Sequence, residues 1–115
     1  MTIQECYEKI GEDYQEILSR FGSEAMVKRF AVKFLNDTSF ANLKQALQDK
    51  DVNEAFRAAH TLKGVCLNLG FNNLYTVSSE LTEKLRKGEL DGSDELFAKV
   101  EEQYKITEYA IGQLQ

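Results

Sequence analysis

The chain has a single histidine, and the residues after it are suited to work with it. In FRAAHTLKGVCLNLG, Phe56 to Gly70, His60 is followed by Lys63 at i+3 and Gly64 at i+4. A neutral imidazole nitrogen is a good nucleophile near neutral pH, because histidine titrates at about 6.5. A phosphoryl group placed on it would carry concentrated negative charge. A lysine one helical turn away would neutralise that charge. Gly64 has no side chain, so the backbone of another protein could approach the imidazole closely. Glycine inside a helix costs about 1 kcal/mol relative to alanine, so its presence calls for a compensating gain in packing or in function. No Walker motif, glycine-rich phosphate loop or DFG-type aspartate occurs in the sequence, and these are what an ATP site requires. A phosphoryl group on His60 would therefore come from a partner and leave to a partner.

The elements that must position these residues are helices. The chain contains no proline, so nothing fixed interrupts helical periodicity. Thr2-Ile3-Gln4-Glu5 reads as a capping box opening a short helix that stops near Gly11. A second short helix is expected from about Glu12 to Arg20, and a third starts at Ser23 and runs through Met26, Val27, Phe30, Phe34 and Leu35. Asn36-Asp37-Thr38-Ser39 breaks it, and Phe40, Leu43, Ala46 and Leu47 carry a further helix to about Asp49. Asp51-Val52-Asn53-Glu54 reads as a second capping box, opening the helix that holds His60. Gly70 is a suitable residue to end that helix. The next helix begins at Asn72 or Asn73 and closes with Arg86 and Lys87 before Gly88, the order the helix dipole favours. After the turn Leu90-Asp91-Gly92, Ser93 is expected to cap a last helix with an apolar face through Leu96, Phe97, Val100, Tyr104, Thr107 and Ile111.

On a helical wheel with Val52 at the origin, Ala55, Ala59, Leu62, Cys66 and Leu69 fall between about 260° and 340° and form the core stripe. His60 falls outside it, at about 80°. Lys63, Phe56 and Leu67 lie between His60 and the stripe, and Asn53 and Gly64 on its far side. His60 is thus expected at the solvent edge, with partly exposed Phe56 and Leu67 beside it. Such a mixture suits a protein-docking surface.

Composition limits the function classes. The 115 residues suit one domain, with 43% hydrophobic and 29% charged residues, a soluble globular balance. A net charge of −5 does not favour nucleic acid, which calls for basic patches. No apolar run approaches the roughly 20 residues of a membrane span, and MTIQECYEKI lacks the pattern of a secretion signal, so the cytoplasm is the expected compartment. Cys6 and Cys66 form neither a CxxC pair nor a zinc ligand set and are expected as buried free thiols.

The segment AAHTLKGVCLNLG, Ala58 to Gly70, resembles the motif of histidine-containing phosphotransfer (HPt) domains, in which H-x-L-K-G is followed by a small apolar stretch and then L-G. His60, Leu62, Lys63, Gly64, Leu69 and Gly70 match it, and the likeness runs from about Ser23 to Leu114 in helix order and length. The resemblance implies an all-α fold, an up-and-down antiparallel four-helix bundle over residues 23–115, with residues 1–22 as capping helices of the same single domain. It implies that His60 accepts the phosphoryl group through Nε2, that Lys63 steadies the phosphohistidine, and that Gly64 leaves room for a receiver domain. Receiver domains of response regulators or hybrid kinases are the implied partners, and the Mg²⁺ belongs to them; this chain would bind no cofactor or metal, act as a monomer, and have no kinase activity of its own. Asn53, Phe56, Arg57 and Leu67 would line the docking surface. Where many members place a glutamine near the histidine, this chain has Thr82, with Arg86 one turn on as a second candidate to reach the phosphoryl group.

Two other readings compete. A helical adaptor without phosphate chemistry would use the same Phe56/Leu67 surface, but it would have no need of His60 and Lys63. A di-iron bundle needs Glu-x-x-His pairs, and the residue three before the only histidine is Arg57.

Overall fold

The computed structural model describes residues 1–114. Among them the chain folds into seven helices: α1 (Ile3–Lys9), α2 (Tyr14–Phe21), α3 (Glu24–Phe34), α4 (Ser39–Gln48), α5 (Val52–Leu69), α6 (Asn72–Arg86) and α7 (Ser93–Ile111). Helix α5 packs between α4 and α6, and α6 packs on α7. The bundle closes where Phe40 of α4 stacks on Phe97 and Tyr104 of α7, with ring centroids 5.5 and 4.0 Å apart. Lys44 and Glu101 pair across the same seam at 3.4 Å. Short turns join these helices, so neighbours run antiparallel. At the α5–α6 turn Gly70 takes the left-handed conformation (φ 72°), and the Phe71 N–H returns to the Cys66 carbonyl. A side chain at that φ would be strained.

Helix α3 departs from the expected boundary. Its expected place is in the bundle, but it ends at Phe34 and packs on α2, touching α1, α5 and α7. The bundle helices therefore span 39–111, and α1–α3 together cover one end of them. This cap is fastened by aromatic and polar contacts. Tyr7 packs on Phe71 and Tyr14 at 5.4 and 5.9 Å, and its hydroxyl donates to the Leu69 carbonyl. Phe34 meets Phe71 edge-on at 5.1 Å. The Cys6 thiol donates to the Ala110 carbonyl.

The helix starts follow the sequence in most places. Thr2 and Glu5 form the reciprocal capping box, and Ser23 accepts from the Met26 N–H. Asp51 accepts from the Glu54 N–H, but the Glu54 carboxylate turns to Arg57 (2.8 Å) rather than back to the cap. Helix α2 starts two residues later than expected, with Asp13 as its cap. Glu12 instead accepts from the Asn73 N–H at 2.9 Å, so a residue of the cap serves the start of α6. Partial burial raises the Glu12 carboxyl above its ordinary range, against the lowering effect of the Asn73 N–H. Ser93 is not a cap. Gly92 holds that position, and the Ser93 hydroxyl donates to the Leu90 carbonyl.

Candidate functional site

Helix α5 divides as its wheel requires. Ala55, Ala59, Leu62 and Cys66 are fully buried and Leu69 nearly so. Burying a leucine of this kind contributes about 2–3 kcal/mol, enough to fix the rotation of the helix. With that stripe turned inward, the opposite side must face solvent. His60 and Asn53 are exposed, Lys63, Gly64 and Phe56 are half-buried, and Leu67 is 49% exposed.

The imidazole lies beside the Phe56 ring, with centroids 5.8 Å apart. Across the helix pair, the Arg86 guanidinium of α6 sits over the same ring, 4.9 Å from its centroid. Glu83 holds Arg86 through its Nε at 3.2 Å. His60, Phe56, Arg86 and Glu83 thus form one continuous surface spanning α5 and α6. A cation over an aromatic face contributes about 0.5–1 kcal/mol at an exposed site. Lys63, one turn along, has no carboxylate within ion-pair distance among the described residues. Its ammonium is available to an incoming anion.

Gly64 sits in ordinary helical geometry, and a Cβ built on it would meet nothing within 4 Å. Close helix–helix packing, the usual structural reason for such a glycine, does not operate here. The fold gains nothing from Gly64 and loses about 1 kcal/mol of helix stability to it.

Two expected site residues lie elsewhere. Thr82 is fully buried, and its hydroxyl donates to the Ser78 carbonyl at 2.7 Å. This backbone bond one turn back satisfies a hydroxyl that the packed face of α6 carries into the interior. Arg57 pairs with Glu54 and lines a polar groove between α4 and α5 with Asn42, Gln45 and Thr61, away from Phe56. The link between Phe56 and Arg86 was missed from the sequence. Both residues were singled out there, but their contact depends on how α6 lies against α5.

Both cysteines are buried and free. Burial pushes the Cys66 thiol far above its ordinary range, which removes it as a nucleophile at neutral pH.

An end-capped four-helix bundle that presents one histidine from its second helix defines a helical protein with an exposed imidazole. The family model for the Hpt domain matches residues 35–110, a span that ends with α7 and begins just before α4. It covers more than half of the chain, and the chain belongs to the Hpt domain family. Proteins of this family carry phosphoryl groups in two-component signalling. Comparison with curated proteins gave no match, and neither did comparison with solved structures. No helix among the described residues is long and apolar enough to cross a membrane.

Proposed function

We propose that this chain is a cytoplasmic, monomeric relay carrier that takes a phosphoryl group from the aspartate of one receiver domain and passes it to another. The observation that carries this reading is the open space at Gly64 beside an exposed His60. A costly glycine with no packing role inside its own chain is accounted for by the approach of a second molecule.

In the step, the Nε2 lone pair of neutral His60 attacks phosphorus as the bond to the aspartyl oxygen breaks. The aspartate leaves as a carboxylate, and the imidazole becomes an N-phosphorylated imidazolium that releases its Nδ1 proton to solvent. The reverse sequence delivers the group to the next receiver. Lys63 offsets the charge arriving on the phosphoryl oxygens. Mg²⁺ held by the receiver would supply the remaining charge stabilisation and alignment. Phe56 and Leu67 supply apolar contact at the rim, with Asn53 on the far side of His60.

The test is phosphoryl transfer from a panel of phosphorylated receivers with Mg²⁺, using His60→Ala as the control. The expected result is acid-labile, base-stable label on the wild type and none on the variant. Full labelling of His60→Ala would overturn the assigned site. Receivers that bind without transferring would make the protein an adaptor.

A further inference from the structure

A second concavity lies away from the imidazole, where α2 and α3 meet the C-terminal part of α5. It has a volume of about 470 Å³, within the range of small-molecule sites. Its wall is apolar: Phe21, Phe30, Phe34, Val65 and Leu69. Phe21 and Phe30 stack nearly parallel, with centroids 5.2 Å apart and an angle of 15°. The pair forms one aromatic side of the cleft.

The polar groups at its rim are Arg20, Lys33, Asp37 and Asn68. Two of these are committed to the fold. Arg20 pairs with Glu16 at 3.0 Å and donates to the Leu67 carbonyl. Asp37 accepts from the Ser39 N–H at 2.8 Å. Lys33 lies over the Phe30 ring, with Nζ 5.0 Å from the centroid. No carboxylate among the described residues lies within ion-pair distance of it. Lys33 is therefore the rim cation that no ion pair among the described residues engages, Asp37 keeps its carboxylate charge on the same rim, and Asn68 adds an exposed amide.

We infer that this cleft is a binding site for a small apolar aromatic carboxylate, its ring system against the partly exposed Phe21, Phe30 and Val65 and its carboxylate on Lys33. Val65 and Asn68 fall at about 220° and 160° on the α5 wheel, against about 80° for His60. The cleft and the imidazole thus open on different sides of one helix, and both can be occupied at once. The inference does not depend on the phosphoryl chemistry.

The probe pair is naphthalene-2-carboxylate and its neutral carboxamide, titrated into the full chain and followed by amide ¹H–¹⁵N shifts. The expected result is saturable shifts confined to the cleft, with the carboxylate bound roughly tenfold more tightly. Lys33→Gln should erase that preference, and Val65→Trp should fill the cleft and abolish binding of both probes. His60→Ala should leave binding unchanged. Equal affinity for the two probes, shifts outside the cleft, or a preference that survives Lys33→Gln would each overturn the site. If Val65→Trp does not fold, the carboxylate preference and its loss in Lys33→Gln decide alone.

Discussion

The two sides of α5 answer to different constraints. On one side, Ala55, Ala59, Leu62, Cys66 and Leu69 are sealed against α4, α6 and the cap. Each is small or apolar, and its neighbours belong to the same chain. On the other side stand an imidazole, an ammonium with no ion-pair partner among the described residues, a glycine with open space above it and a half-exposed leucine. None of these stabilises the bundle, and the glycine weakens it. A helix that keeps one side for its own fold and spends stability on the other is organised around something outside itself.

Substitutions on the two sides should therefore separate function from stability. His60→Ala should have the largest functional effect, complete loss of phosphoryl labelling. Its melting temperature should stay within about 4 °C of wild type, since exposed substitutions change stability by about 0.5 kcal/mol or less. Leu62→Ala should do the opposite. A urea titration should show a loss of about 2–5 kcal/mol, while the variant still accepts label under conditions where it is folded. Lys63→Ala should slow transfer roughly tenfold, the worth of one charge-assisted hydrogen bond, with no change in the urea midpoint. Rapid-quench kinetics would read the first and equilibrium unfolding the second. The smallest effect should come from a thiol reagent. Cys6 and Cys66 lie on buried surfaces, so an aromatic disulfide should react with neither in the native protein and with both in denaturant. Fast native-state reaction would place Cys66 on the wrong side of the helix.

Much of this division was legible in the sequence. The burial of α5 follows directly from 3.6-residue periodicity, because an 18-residue helix gives five turns of repetition to average over. His60, Lys63 and Gly64 lie within one turn and a half, so their relation is local. What was not legible depends on geometry between helices. The place of α3 turns on the direction the chain takes after Phe34, which residue types at 36–38 do not specify. The burial of Thr82 depends on how α6 is rotated against its neighbours, which the sequence of α6 alone does not set. The Phe56–Arg86 contact and the service of Glu12 to α6 both join residues far apart in sequence. Their side chains meet only through the tertiary arrangement.

The division rests most heavily on Gly64, and Gly64→Gln tests it most directly when folding and transfer are measured on the same preparation. Glutamine is a better helix former than glycine and meets no obstacle in the free chain. The account predicts an unchanged or raised melting temperature together with a fall of at least about tenfold in kcat/KM for transfer from a phosphorylated receiver. A clear fall in melting temperature with transfer intact would contradict it and return Gly64 to the interior.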